Sequence, residues 1–110
     1  MLRFQPAVRI GFLTDPLAEL LRAATVWSYR RRVDVDVNSI NDPAPGRVAT
    51  TLHDFDLAVD FDTDGDRAAD LESLEEYFRA TLPPQYDVVF EADHIHVEWD
   101  ARRGPSRRRP

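Results

Sequence analysis

The sequence predicts an α+β domain with a small, mainly antiparallel sheet and two helices. Two segments carry apolar residues at helical spacing, and four further segments have strand-like patterns, three of them with alternating apolar and polar residues. Their order is helix, two strands, helix, two strands, which is typical of α+β domains. Because 110 residues suffice for one core and not for two, we expect a single domain over residues 1–100.

The first helix is predicted to begin at Asp15, because this carboxylate can cap free backbone N–H groups and Pro16 suits the first helical position. One apolar face follows at helical spacing, formed by Leu17, Leu20, Leu21, Ala24 and Trp27. Residues 30–32 are all Arg, which favours a helix C-terminus there.

The second helix is predicted from the spacing of Leu71, Leu74 and Phe78. Pro83 and Pro84 must end it, because proline cannot continue a helix. The acidic segment just before it reads as a turn from strand to helix, with Asp66 as the capping residue.

The strands are predicted at residues 33–37, 57–61, 86–91 and 94–99. A proline-rich loop over residues 41–50 separates the first two. Asp34 and Asp36 are expected on the solvent-facing side of an edge strand. In the last strand the polar side chains share one face, which carries His94, His96 and Glu98.

Composition excludes several classes of function. The chain has no cysteine, so a transition-metal site must use His, Asp and Glu. Nine basic residues face 20 acidic ones in residues 1–100, which argues against nucleic acid as a partner. No apolar stretch is long enough for a membrane span or a signal peptide. Residues 101–110 are expected to form a disordered basic tail, which could hold the protein near anionic cell-wall polymers.

The three histidines lie near two short acidic segments, a grouping that favours a metal or proton-transfer site. Catalytic zinc typically takes three protein ligands and leaves a fourth position for water. His53, Asp60 and one of His94 or His96 would supply such a set. Neighbouring side chains on one strand face are about 7 Å apart, so the last two histidines are not expected to bind one ion together.

Two segments resemble the motifs of the zinc D,D-peptidases and the related L-alanyl-D-glutamate endopeptidases, a group that is also similar to the hedgehog signalling domain. Residues 51–60, TLHDFDLAVD, look like the motif S-x-H-x-x-G-x-A-x-D. Residues 93–96, DHIH, look like the second motif, in which an acidic base precedes the last zinc ligand by three positions. Residues 38–42 and 86–91 are similar to small phage and prophage members, so the resemblance spans about residues 15–100.

This resemblance implies a hedgehog/D,D-peptidase-like fold that binds Zn²⁺ through His53, Asp60 and His96. It also implies Asp93 as the general base, and His94 as the group that stabilises the oxyanion or orients the water. The implied activity is hydrolysis of peptidoglycan stem peptides, of the D-Ala-D-Ala carboxypeptidase or the L-Ala-D-Glu endopeptidase type. Such a protein is made in the host cytoplasm and acts at the cell wall, after release or as part of a virion.

The chain departs from the motif pattern at three places. Thr51 replaces Ser and Asp56 replaces Gly. The Arg that many carboxypeptidase members have after the first strand is missing: Asp42 stands there, and Arg47 could fill the role only by another route. An alternative is therefore a catalytically silent zinc-binding adaptor in a phage particle, with phage structural proteins as partners.

Two smaller questions concern the acidic side chains. Residues 60–65 resemble the first half of an EF-hand loop, but Leu71 stands at the twelfth position, where a Glu is required. A weak structural Ca²⁺ near Asp62, Asp64 and Asp66 is an open alternative. Glu91 and Glu98 would either hold the tautomer of a histidine or lie on the surface.

Overall fold

Five strands and two helices make up the fold. The structure is a computed structural model that describes residues 1–6, 8, 14–41, 57–64 and 68–100. In chain order the elements are β1 (Leu2–Phe4), α1 (Asp15–Arg31), β2 (Val35–Asn41), β3 (Leu57–Thr63), α2 (Ala68–Thr81), β4 (Tyr86–Glu91) and β5 (His94–Trp99). The predicted α+β class, its two helices and its four strands are confirmed.

The strands form one sheet in the order β1-β2-β3-β5-β4. Every neighbouring pair is antiparallel except β1 and β2, which are parallel. The strand β1 was not predicted, because three residues are too few for a recognisable alternation. Its presence corrects the expected edge position of Asp36: β2 lies between β1 and β3, and Arg3 of β1 donates from Nε to Asp36 Oδ1 at 2.8 Å.

The helix α1 begins as the sequence predicts, with a different capping residue. Thr14 is the N-cap, and its hydroxyl accepts a hydrogen bond from the backbone N–H of Leu17. Asp15 is instead the first helical residue, where its charge is favourable at the positive end of the helix dipole. The helix ends at Arg31, and the C-cap residue Arg32 takes a left-handed conformation with φ of 58°.

Both helices pack on the same face of the sheet, which we call the covered face. Leu17, Leu20 and Ala24 of α1 and Leu74 and Phe78 of α2 are fully buried there. The strands contribute alternate residues to this core, namely Val35, Val37, Leu57, Val59, Phe61, Tyr86, Val88, Ile95 and Val97. The Phe61 and Phe78 rings lie 5.2 Å apart between centroids, which joins the sheet to α2.

The other face of the sheet is covered by neither described helix, and we call it the open face. Strand alternation places on it Arg3, Asp36, Ser39, Ala58, Asp60, Asp62, Asp87, Val89, Glu91, His94, His96 and Glu98. All but two of these side chains are polar or charged. The candidate site must therefore be sought on this face.

Four further expectations concern a membrane span, the proline-rich loop, the cap of α2 and the basic tail. The helices α1 and α2 both fall short of the length and apolar content that a membrane-spanning helix requires. Of the loop predicted over residues 41–50, Asn41 is instead the last residue of β2. The rest of that loop, the cap at Asp66 and the basic tail over residues 101–110 lie outside the described residues.

Candidate functional site

The sheet register brings together two of the predicted metal ligands. Asp60 of β3 and His96 of β5 are direct cross-strand partners. The Asp60 Oδ1 and His96 Nδ1 atoms are 2.6 Å apart. Their side chains are 30% and 25% exposed, so the pair lies at the surface of the sheet and is accessible from solvent. Residues 36 positions apart in the chain thus form one polar pair.

A β-bulge in β2 places a hydroxyl beside this pair. The register shifts between Val37 and Ser39, so Asn38 is an extra residue and Ser39 lies opposite Asp60. The Ser39 hydroxyl donates to Asp60 Oδ2 at 2.9 Å. Since Oδ1 of the same carboxylate faces His96, the two oxygens of Asp60 have distinct partners.

Glu98 contacts the other side of the His96 ring. It lies two residues further along β5, on the same face, with its Oε1 atom 2.9 Å from His96 Nε2. Burial lowers the pKa of His96, but the hydrogen bonds with Glu98 and Asp60 outweigh it, so that the pKa lies above its ordinary value. Both ring nitrogens are therefore oriented by carboxylates.

Asp93 and His94, the predicted catalytic residues, form a second pair at the β4–β5 turn. The Asp93 Oδ1 and His94 Nδ1 atoms are 2.8 Å apart, and His94 Nε2 lies 3.4 Å from Glu91 Oε2. The hydrogen bond with His94 lowers the pKa of the Asp93 carboxyl, and the same bond raises the pKa of His94. Asp93 is therefore an ionised carboxylate at neutral pH.

One cavity joins the two pairs. It has a volume of about 150 Å³, and its lining residues are Asn38, Asp60, Asp62, Asp93 and His94. Asp60 thus faces the predicted catalytic residues on one side and His96 on the other. All five lining residues are polar or charged, and they come from three segments of the chain: β2, β3 and the turn between β4 and β5.

The remaining predicted ligand cannot be placed. His53 lies outside the described residues, as do Arg47, Thr51 and Asp56. Within the described part of the chain, no group of three or more His, Asp or Glu side chains is positioned to hold one metal ion. Asp60 and His96 are of donor types that zinc accepts, but their Oδ1 and Nδ1 atoms face each other at 2.6 Å as a hydrogen-bonded pair, so zinc binding would require this pair to open.

The acidic turn after β3 has contacts that differ from those of a calcium loop. Asp62 Oδ1 accepts from the backbone N–H of Thr63 at 2.7 Å. Asp64 Oδ1 lies 3.7 Å from the Arg3 guanidinium, so a cation of the protein itself neighbours this carboxylate. Asp66 lies outside the described residues, and the structural Ca²⁺ stays a prediction.

Sequence reasoning did not find Asn38 and Ser39 as members of this site. A signal was present: Val37 and Ile40 are three positions apart, which breaks the period of two and is typical of a bulge. Glu98 was recognised as one of two possible partners of a histidine, and the structure places it against His96.

No protein-family model, curated protein or solved structure matches this chain. The resemblance to the zinc peptidases therefore rests on the motif residues. Three of the five functional positions it implies, Asp60, Asp93 and His94, line one cavity, and a fourth, His96, contacts Asp60.

Proposed function

We propose that this protein is a zinc metallopeptidase that hydrolyses peptide bonds in the stem peptides of bacterial peptidoglycan. The observation that carries the proposal is the direct pairing of Asp60 and His96 across β3 and β5, with 2.6 Å between Oδ1 and Nδ1. These two residues were assigned as ligands from the sequence motifs alone. Their convergence on an accessible face, beside the implied general base, is what such an enzyme requires.

The zinc ion would be held by Asp60, His96 and His53. Asp60 presents one carboxylate oxygen towards His96, while Ser39 holds the other oxygen. His53 precedes the first residue of β3, Leu57, by four positions, so it belongs to the segment that leads into the strand of Asp60. Zinc supplies a Lewis acid at such a site and makes water nucleophilic at neutral pH.

Asp93 is suited to move the proton in this reaction. A general base must be ionised before the reaction and must lie within reach of the water that it deprotonates. Asp93 shares a cavity with Asp60, and its hydrogen bond with His94 lowers its pKa, which keeps the carboxylate ionised but also makes it a weaker proton acceptor. In the proposed cycle the Asp93 carboxylate accepts the proton of the attacking water and later gives it to the leaving amine.

His94 has two roles in the proposal. Its Nδ1 atom holds the Asp93 carboxylate at 2.8 Å, which fixes the orientation of the base. Its ring also lines the cavity, where an N–H can donate to the oxygen that becomes negatively charged as the carbonyl is attacked. At His94 Nε2 the contact with Glu91 Oε2 is long, at 3.4 Å. In the proposal the substrate oxygen displaces the Glu91 carboxylate and accepts the hydrogen bond from Nε2–H.

The proposal is tested by metal analysis and by hydrolysis of purified peptidoglycan. Protein purified without a chelator is expected to contain zinc, and mass spectrometry of digested cell walls should identify one cleaved stem-peptide bond. The product also decides between the carboxypeptidase and endopeptidase types. Zinc binding without any cleavage would instead favour the adaptor function.

The matched test of the mechanism is Asp93→Ala against Asp87→Ala. Both variants remove one carboxylate from the same side of the sheet, but Asp87 lies on β4 and does not line the cavity. Asp93→Ala is expected to lower the rate of hydrolysis by about 10²–10⁴-fold with zinc still bound, because a general base contributes about that much. Wild-type activity in Asp93→Ala would refute the role of this carboxylate.

A further inference from the structure

We infer that the outer edge of β4 is a strand-pairing surface that Arg79 keeps closed, and that the strand it would otherwise accept is β4 of a second copy of this chain. The inference concerns association between copies of the protein and does not depend on the proposed zinc site. It assigns to one arginine of α2 the role of keeping two sheets from joining.

The strand β4 lies at one edge of the sheet. In the order β1-β2-β3-β5-β4 it has a single neighbour, β5, among the described strands. The strand at the other edge, β1, has three residues, whereas β4 has six. A long edge strand presents backbone groups on which another chain can add a strand. Of the two edges of the described sheet, that of β4 is therefore the more open to association.

The register of the β4–β5 hairpin determines which backbone groups of β4 point outwards. Glu91 and His94 are paired across a two-residue loop, so these two residues exchange backbone hydrogen bonds. Hydrogen-bonded and non-hydrogen-bonded pairs alternate along an antiparallel ladder. The N–H and C=O groups of Val88 and Phe90 therefore point away from β5, towards the outer edge.

Arg79 covers one of these outward groups. It lies in the last turn of α2, and its Nη2 atom donates a hydrogen bond to the carbonyl oxygen of Val88. Glu75, one helical turn earlier, orients the guanidinium: its Oε2 atom lies 3.1 Å from Nη2 and 3.3 Å from Nε of Arg79. The arginine thus places a positive charge at the edge of β4. Charged side chains at an edge are a common means by which proteins prevent strand addition.

A second copy of β4 is complementary to this edge in one register. Antiparallel pairing of two identical edges gives the two-fold symmetry that is common in dimers. With Val88 opposite Val88 of the copy, Asp87 faces Val89, and no two carboxylates of the strands are opposed. With Val88 opposite Phe90, Asp87 would instead face Glu91, and like charges at opposed positions destabilise a ladder. Charge therefore favours the first register.

The favoured register needs the carbonyl that Arg79 covers. Val88 and its counterpart in the copy would exchange two hydrogen bonds, each accepted by a Val88 oxygen. Arg79 donates to that oxygen in each copy, and the two guanidinium groups would meet near the centre of the paired strands. Pairing must therefore break two hydrogen bonds that have charged donors and bring two like charges together.

The experiment compares Arg79→Met with Arg22→Met and the wild type. Methionine keeps an apolar stem without the guanidinium, and Arg79 is 46% exposed, so the variant is expected to fold. Arg22→Met adds the same exposed methionine on α1 and is the matched control. Molecular mass is measured by analytical ultracentrifugation over a range of protein concentrations, after circular dichroism has verified folding. We expect Arg79→Met to dimerise at concentrations at least about tenfold below those at which the wild type or Arg22→Met associates, since a hydrogen bond with a charged group contributes about that much.

Hydrogen exchange measured by NMR locates the interface. In the Arg79→Met dimer the backbone amide hydrogens of Val88 and Phe90 should be protected from exchange, because they donate to the paired strand. In the wild type and in Arg22→Met, at the same protein concentration, both amide hydrogens should exchange faster. Dimerisation of Arg79→Met with this protection pattern supports the inference.

Three results would overturn it. The first is an Arg79→Met variant that associates no more tightly than the wild type. The second is equal association of Arg79→Met and Arg22→Met, which would assign the effect to an exposed methionine. The third is an Arg79→Met dimer in which Val88 and Phe90 exchange as in the monomer. None of these measurements involves zinc or peptidoglycan, so the failure of this inference and the failure of the proposed function are distinguishable.

Discussion

The covered and open faces of the sheet are built from the same strands and have opposite chemistry. Along β3, Val59 and Phe61 are fully buried under the helices, whereas Asp60 and Asp62, which alternate with them, line the cavity of the other face. Because side chains alternate, each strand supplies residues to both faces. Burial stabilises one face, and pairing of charged groups organises the other. Substitutions on the covered face should therefore change mainly the stability of the fold, whereas substitutions on the open face should change mainly the properties of the candidate site.

The largest effect is expected from Phe61→Ala on the covered face. Phe61 is fully buried and its ring packs against Phe78, so its loss removes apolar contacts and leaves a cavity. The free energy of unfolding in urea should fall by about 3–5 kcal/mol. Val89→Ala is the matched control, because Val89 lies on the open face and is 39% exposed; a change within about 0.5 kcal/mol is expected there. An equal fall in the free energy of unfolding in Phe61→Ala and Val89→Ala would show that the two faces do not differ in their contribution to stability.

An intermediate effect is expected from zinc on the open face. A ligand that binds only the folded state at 100 times its dissociation constant stabilises it by about 2.7 kcal/mol. Zinc should therefore raise the melting temperature of the wild type and of Asp87→Ala, and a chelator should reverse the shift. Asp60→Ala lacks a proposed ligand and should show little shift. The same zinc-dependent shift in Asp60→Ala would contradict the assignment of this face as the metal site.

The smallest effect is expected from Arg3→Ala, at the far end of the same face. The Arg3 guanidinium lies 2.8 Å from Asp36, 3.4 Å from Asp34 and 3.7 Å from Asp64. Asp36 is only 14% exposed, but Arg3, Asp34 and Asp64 are 41%, 37% and 65% exposed, and ion pairs that water reaches contribute little and are screened by salt. The melting temperature should fall slightly at low salt, and the difference from the wild type should vanish near ~1 M salt.

Arg30→Ala is the control for Arg3→Ala, because it removes one exposed cation from α1 instead of from the sheet. It should leave the melting temperature nearly unchanged at both salt concentrations. A large, salt-independent fall in the melting temperature of Arg3→Ala would contradict this expectation. It would mean that the ion pairs on the open face stabilise the folded state as strongly as apolar burial does on the covered face.

Local features of the fold were predictable from the sequence, because helices and strands have their own periods. The apolar spacing in α1 and α2 and the alternation in β3 and β5 each lie within one segment. The predicted N-cap of α1 was wrong by one residue. Thr14 and Asp15 are both suitable N-cap residues, and which of them is the cap depends on where the backbone becomes helical. The strand β1 has too few residues to be seen without its partner β2.

For the candidate site, the sequence indicated residues but not how the fold would bring them together. The motif resemblance implied Asp60, Asp93 and His96, but whether they meet depends on β3 pairing with β5, and strand order is a property of the whole fold. The contact of Ser39 with Asp60 depends on a bulge, which shifts the register by one residue. The orientation of Glu98 depends on its neighbours across and along the strand. Such contacts join segments whose separation the sequence does not specify.

The connection between β4 and β5 constrains how this protein can vary. Glu91 and His94 are paired in the ladder, so Ala92 and Asp93 alone make the hairpin loop, and Ala92 takes a positive φ of 35°. A side chain with a Cβ atom is disfavoured in that region, so glycine at this position should relieve backbone strain. Adding residues here would displace the Asp93 carboxylate from its place above the sheet. Proteins with the same fold should therefore rarely differ in length at this hairpin, because its two-residue loop places the Asp93 backbone and the adjacent His94 orients the Asp93 carboxylate.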